Sequence, residues 1–174
     1  MCGIAGIYRF NGEANELRQH LGVMNDALLH RGPDESGMHV YEGLRAGVSV
    51  RRLSILDLEH GSQPFLSEDG SVAVVCNGEI YNHRSLRKEL QAKGYRFRSR
   101  SDCEVLVYLY LEEGPDFLKR LNGMFALAVL DSRSGTLFLA RDPVGMKHLY
   151  WSETPRGIVF ASEARALFAT GLVK

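Results

Sequence analysis

Cys2 directly follows Met1. A methionine before a small residue is a usual substrate for methionine removal, which would leave Cys2 with both a thiol and a free α-amine. An α-amine has an ordinary pKa of about 7.7–8.0, against about 10.4 for a lysine. Near neutral pH it is therefore largely unprotonated and able to take the thiol proton, so one residue would supply nucleophile and base together. The plainer alternative is a strand that simply begins at this position.

Attack on an amide creates an oxyanion, and donors must face the point where that charge develops. Asn77-Gly78-Glu79 follows the strand-like run Val72–Cys76 and offers a side-chain amide and a glycine N–H that a ligand can approach closely. Asn-Gly is equally a turn signal. In Arg51-Arg52-Leu53-Ser54-Ile55-Leu56-Asp57, a guanidinium could grip an α-carboxylate through two parallel hydrogen bonds, or either arginine could be a solvated charge. In Ser101-Asp102-Cys103-Glu104, Asp102 could hold an α-ammonium, although capping a helix is its plainer role. Cys76 reads as a small core residue and Cys103 as a buried, inert thiol. His30 and Arg31 read as braces for a loop, and His83 as part of a helix start.

The elements that must position these groups follow from periodicity. Gly3–Phe10 reads as a buried strand. Leu17, Leu21, Met24 and Leu28 recur at helical spacing within Glu16–Leu29, and His30-Arg31-Gly32-Pro33-Asp34 breaks that helix into a loop. Strands are expected at Gly37–Tyr41, Ala46–Leu53 and Val72–Cys76, with an irregular connection over Glu59–Gly70. A second helix spans His83–Lys93 and stops at Gly94. The capping-box spacing of Ser101 and Glu104 predicts a third from about Asp102 to Gly114, with one more short helix possible over Asp116–Leu121. Met124–Asp131 and Thr136–Ala140 form a hairpin around Ser132–Gly135. Strands at His148–Ser152 and Ile158–Ala161 and a helix over Glu163–Ala169 complete the chain. Strict βαβ alternation is missing, so antiparallel sheets with helices outside are expected.

Bulk composition narrows the class. The 174 residues suit one domain, and 45% apolar with 24% charged residues suits a folded core. Lys plus Arg equals Asp plus Glu at 21 each, which gives no electrostatic footprint for nucleic acid or a membrane surface. The longest apolar runs, Val105–Leu111 and Met124–Leu130, fall far short of the roughly 20 residues that span a bilayer. Three cysteines without CxxC spacing argue against a disulfide framework or zinc site and suit a reducing cytoplasm.

Taken in order, Met1-Cys2-Gly3-Ile4-Ala5-Gly6, His30-Arg31-Gly32-Pro33-Asp34-Glu35-Ser36-Gly37, Arg52-Leu53-Ser54-Ile55, Asn77-Gly78-Glu79-Ile80-Tyr81-Asn82-His83, Ser101-Asp102-Cys103-Glu104, Leu121-Asn122-Gly123-Met124-Phe125-Ala126 and Arg141-Asp142-Pro143-Val144-Gly145 resemble the glutaminase domain of class II glutamine amidotransferases. The resemblance runs nearly end to end. Arg52-Leu53-Ser54-Ile55 resembles the form fused to asparagine synthetases. Glucosamine-phosphate synthases and phosphoribosylamine-forming enzymes instead resemble Arg-Trp or Arg-Tyr followed by Ala, Ser or Thr.

The resemblance implies an α+β fold, a four-layer αββα sandwich with two antiparallel sheets of the N-terminal-nucleophile hydrolase kind. It implies Cys2 as nucleophile, Asn77 and Gly78 as oxyanion hole, Arg52 on the carboxylate of L-glutamine, and Glu79 and Asp102 near its ammonium. Backbone from Leu53 through Ser54 and Ile55 to Leu56 would line the pocket. Residues 1–174 would form this one domain, without the synthetase domain or subunit that receives the ammonia. No stretch resembles that domain's pyrophosphate-binding loop, so neither a cofactor nor a metal is expected. Lys147-His148 departs from the family's usual Lys-Pro before Leu-Tyr; it is expected to lie away from the glutamine motifs and to alter only a surface. The competing readings are a module that binds glutamine or a synthetase without turnover, against which Cys2, Asn77, Gly78, Arg52 and Asp102 all count, and a hydrolase of some other amide.

Overall fold

The computed structural model describes residues 2–53 and 61–174. The chain runs through β1 (Gly3–Tyr8), α1 (Ala14–Ala27), β2 (Glu35–Tyr41), β3 (Ala46–Arg52), β4 (Phe65–Leu66), β5 (Val72–Ile80), α2 (His83–Ala92), α3 (Val105–Glu113), β6 (Gly123–Asp131), β7 (Thr136–Arg141), β8 (Tyr150–Thr154), β9 (Gly157–Ala161) and α4 (Ala164–Ala169). Two antiparallel sheets result, ordered β2-β3-β1-β9-β8 and β4-β5-β6-β7.

Every residue of β1 is buried, so both faces of its sheet need a partner layer. Side chains alternate along a strand. Ile4 and Tyr8 meet Ala73, Val75, Ala126, Ala128 and Leu130 of the second sheet. Ala5 and Ile7 meet Leu17, Leu21 and Met24 of α1 and Ala166 and Leu167 of α4. On the far side of the second sheet, Val74, Leu127 and Val129 pack against Leu86 and Leu90 of α2 and the apolar α3. The layers are therefore α1/α4, sheet, sheet, α2/α3, the αββα sandwich expected. Where the sheets approach, Gly6 is backed so closely by the Phe160 ring that a Cβ would collide with it. Phe160→Ala would empty this fully buried contact and cost about 3–5 kcal/mol.

Some expected boundaries move. Asn77, Gly78 and Glu79 do not follow the strand; β5 continues through them, paired with Ala126, Phe125 and Met124. The capping box at Ser101 and Glu104 does not form. The Glu104 carboxylate instead accepts from Arg98 N (2.7 Å), Ser99 N (2.8 Å) and Ser99 Oγ (2.6 Å), and α3 starts at Val105. Among the described residues no helix is long and apolar enough to cross a membrane.

Candidate active site

Cys2 stands just before β1, and in strand parity it falls on the same face as Ile4, toward the second sheet. The β9–α4 junction anchors this chain start: Ile4 N donates to Ser162 Oγ (3.0 Å) and Ser162 N to Ile4 O (2.8 Å). The Cys2 carbonyl accepts from Arg31 Nε (2.9 Å). It also accepts from Asn77 Nδ2 (3.0 Å), while Asn77 Oδ1 accepts from Arg31 Nη2 (3.3 Å), the amide orientation that satisfies both ends. Arg31 Nη1 donates to Glu163 Oε1 (2.8 Å), with His30 Nε2 3.0 Å from the same oxygen. Arg31 thus braces the candidate nucleophile as well as a loop. Burial pushes the Cys2 thiol above its ordinary value, and a backbone hydrogen bond from Leu53 and the charge of Arg52 only partly oppose it. At neutral pH this thiol rests protonated and needs a base.

The other wall is an edge of β5. Gly78 faces Phe125, but Phe125 N donates to Asp142 Oδ2 (3.1 Å) and Phe125 O accepts from Asp142 N (2.9 Å). Both groups of Phe125 point away from β5. Gly78 and Phe125 are therefore a non-hydrogen-bonded pair, and the backbone groups of Gly78 point the opposite way, off β5. On that edge the Gln63 amide copies a neighbouring strand: Cys76 N donates to its Oε1 (2.7 Å) and its Nε2 donates to Cys76 O (3.0 Å). Ile80 N donates to Asp102 Oδ2 (2.7 Å), and Cys103 Sγ lies 3.8 Å from Gly78 O. Gly78 N–H has no acceptor among the described residues. Only glycine fits here, because a Cβ would run into Met124 O and Phe125 Cα.

These walls enclose a cleft of about 100 Å³ lined by Cys2, Arg52, Asn77, Gly78, Glu79 and Asp102, many times the roughly 10–15 Å³ one water needs. Arg52 ends β3, is 5% exposed, and donates to Glu35 Oε1 (2.8 Å). Glu35 also accepts from Ser62 Oγ (2.9 Å), so the guanidinium is held by a carboxylate that is itself held. Glu79 is exposed and has no partner among the described residues. Leu53 lines the cleft, whereas Ser54, Ile55 and Leu56 lie outside the described residues. Two cations and two carboxylates around one small space complement a zwitterion: Arg52 and Lys147 against Glu79 and Asp102.

Lys147 corrects an expectation. It was placed away from the glutamine motifs, yet it lines the cleft and is 9% exposed. The turn before it explains why. Asp142 Oδ1 gathers Val144 N (3.1 Å) and Met146 N (3.0 Å), Oδ2 gathers Lys147 N (3.4 Å), and Arg141 Nε donates to Lys147 O (2.8 Å). Gln63 was missed outright. Its stretch has no periodicity, and nothing local announces that its amide will act as a strand. Cys76 and Cys103 also reach the cleft wall. A hydrogen bond with Cys76 and complete burial push the Cys103 thiol well above its ordinary value, which suits an inert thiol. Among the described residues no cluster of His, Cys, Asp and Glu could hold a metal ion.

Over residues 1–174 the chain matches the family model described as a glutamine amidotransferase domain. It is 44% identical over 171 residues to asparagine synthetase (glutamine-hydrolyzing) 2 of Bacillus subtilis (strain 168), a match covering 97% of this chain and 22% of that protein. It is 44% identical over 168 residues to asparagine synthetase (glutamine-hydrolyzing) 2 of Arabidopsis thaliana, covering 96% and 28%. Against asparagine synthetase B (glutamine-hydrolyzing) of Escherichia coli (strain K12) it is 40% identical over 168 residues, covering 96% and 30%. The chain thus spans less than a third of the length of these relatives. A solved glutamine phosphoribosylpyrophosphate amidotransferase from B. subtilis superposes with a TM-score of 0.77 at 24% identity, covering 98% of this chain and 44% of that one. At that identity the likeness speaks for the fold.

Proposed function

The chain belongs to the glutamine amidotransferase domain family, and from that premise we propose that it hydrolyses the side-chain amide of glutamine and supplies the ammonia to an asparagine-synthetase-like amidation. The observation that carries this reading is the Gly78 N–H, directed off β5 and without an acceptor among the described residues, on the wall of the cleft that Cys2 and Asn77 also line.

With Met1 removed, the α-amine of Cys2 takes the thiol proton, and Sγ attacks the amide carbon. The carbonyl oxygen becomes an oxyanion that accepts from Gly78 N–H and Asn77 Nδ2. A side-chain amide nitrogen carries two hydrogens; one bonds Cys2 O, and the second serves the oxyanion. The protonated α-amine passes its proton to the leaving nitrogen, ammonia departs and a thioester remains. Water, deprotonated by the same amine, attacks the thioester and restores the thiol, releasing glutamate. Arg52 pairs with the substrate carboxylate, Glu79 and Asp102 with its ammonium, and Leu53 lines the pocket. The ammonia acceptor is a synthetase domain or subunit that uses its own nucleotide. Free thiols suit action in a reducing cytoplasm.

The test separates purified chain by intact mass into fractions that retain Met1 and fractions that begin at Cys2, and assays each for glutamate release beside Cys2→Ala. Activity should track the fraction beginning at Cys2 and vanish in Cys2→Ala. Full activity in a fraction that keeps Met1 would show that the α-amine is not the base, and turnover by folded Cys2→Ala would remove the nucleophile.

A further inference from the structure

We infer that Glu163, which makes no contact with the cleft, is a positioning residue for both the nucleophile and the oxyanion donor, acting through Arg31. The inference rests on the glutaminase reading above.

A guanidinium is a rigid planar fork, and all three nitrogens of Arg31 are in use: Nε on Cys2 O, Nη2 on Asn77 Oδ1 and Nη1 on Glu163 Oε1. Turning the fork about its stem would disturb all three bonds together, so the carboxylate on one prong fixes the other two. Those two prongs matter for chemistry. One fixes the carbonyl of Cys2. The other holds the oxygen end of the Asn77 amide, and together with the Nδ2 bond to Cys2 O it keeps the donor end turned to the oxyanion.

Among the described residues Glu163 has no side-chain partner besides Arg31 and His30. It stands at the N-cap of α4, where a polar side chain would ordinarily serve the first helical N–H groups, but it makes no capping bond and turns to Arg31 and His30 instead. Burial acts to raise its carboxyl, yet the bonds from Arg31 and His30 outweigh burial and hold it below the ordinary range. Its neighbour Ser162 grips Ile4 through both backbone groups. Two consecutive residues thus reach the start of the chain by separate routes.

The test compares Glu163→Gln and Glu163→Ala with the parent, all as chains beginning at Cys2. Glu163→Ala should lower kcat for glutamine by about 10- to 100-fold, the scale of a small misplacement relayed from outside the site, with KM nearly unchanged. Glu163→Gln keeps an acceptor oxygen and should recover part of the loss. A second readout needs no turnover. The γ-aldehyde of glutamate adds to the Cys2 thiol and places a tetrahedral oxygen where the oxyanion forms. Its affinity should fall with kcat/KM, while the affinity of glutamate, which has no tetrahedral centre, should hold.

Unchanged kcat in Glu163→Ala, or a parallel fall in glutamate and aldehyde affinity alongside a lower Tm, would overturn the positioning role. A parent chain without Cys2-dependent hydrolysis would instead overturn the glutaminase reading itself.

Discussion

The two ends of β5 carry the same kinds of group in opposite conditions. At the turn that enters it, Asp69 accepts from Ser67 Oγ (2.6 Å), Ser71 N (3.0 Å) and Ser71 Oγ (2.8 Å), and Gly70 N donates to Ser67 O (2.9 Å). At the end that leaves it, Gly78 N–H and the Glu79 carboxylate have no partner among the described residues. One carboxylate and one glycine N–H are fully used; among the described residues their counterparts at the other end of the strand are not. A strand-edge donor without a partner among the described residues, on the wall of the cleft that Cys2 also lines, contributes little to local stability. Substitutions at the closed end should therefore register in stability, and substitutions at the open end in kinetics.

The sharpest test of that contrast lies at the open end. Asn77→Ala removes a donor whose main work is in the transition state, so kcat for glutamine should fall about 100- to 1,000-fold while KM changes less. Steady-state kinetics on chain beginning at Cys2 measure both. A rise in KM with unchanged kcat would make Asn77 a uniform binding contact, and the two ends of β5 would then differ in ligand binding only.

A smaller effect is expected at Glu79. A hydrogen bond to a charged group is worth about 1.5–3 kcal/mol, so Glu79→Gln should raise KM for glutamine roughly 10- to 100-fold with little change in kcat or Tm. Arg52→Lys should also raise KM, but with a loss of Tm, because it gives up the planar fork that bonds Glu35. Rates on an aliphatic amide lacking the α-carboxylate and α-ammonium should be insensitive to Glu79→Gln. A fall in Tm without a change in KM would place Glu79 with the closed end.

The contrast also shows what the sequence could and could not reveal. The unbroken apolar run of β1, the helical spacing of Leu17, Leu21 and Met24, and the hairpin of β6 and β7 are local patterns, and they led to antiparallel sheets with helices outside; the four-layer sandwich came from the resemblance. The extension of β5 through Asn77-Gly78-Glu79 was not legible. Asn-Gly favours a turn locally, and what overrides it is pairing of Asn77, Gly78 and Glu79 with Ala126, Phe125 and Met124 of β6, contacts between residues far apart in sequence. The capping box failed for a similar reason, since Glu104 had better partners behind it at Arg98 and Ser99. Lys147 and Gln63 reach the cleft only because a turn and an amide side chain are completed by tertiary hydrogen bonds. The positions assigned by resemblance gather in one cleft where the structure describes them; of their supports, Arg31 and Glu35 lie in a stretch that carried the resemblance but were given no role at the cleft, and Glu163 carries no spacing signal at all.

The smallest effect is expected at the closed end and should appear only in acid. Bonds from Ser67 and Ser71 hold the Asp69 carboxyl at about 2, below its ordinary 3.8. A carboxyl lowered on folding contributes stability that is fully present above its unfolded value and is lost as pH falls through its folded value. The Tm advantage of the parent over Asp69→Asn should therefore be constant above about pH 4 and shrink between there and about pH 2. It should be modest throughout, because Asp69 is exposed and its bonds compete with water. Kinetics with glutamine at neutral pH should not distinguish Asp69→Asn from the parent, since the turn lies at the opposite end of β5 from Gly78. Thermal melts across this acid range, set beside one neutral kinetic measurement, check both halves of the expectation. A Tm difference that persists unchanged to pH 2 would mean that the turn is held by its backbone bonds, Gly70 N to Ser67 O and Ser67 N to Val72 O, with the carboxylate incidental. A loss of turnover in Asp69→Asn would mean that the two ends of β5 are mechanically joined, and that the order at the closed end is part of what holds the Gly78 donor in place.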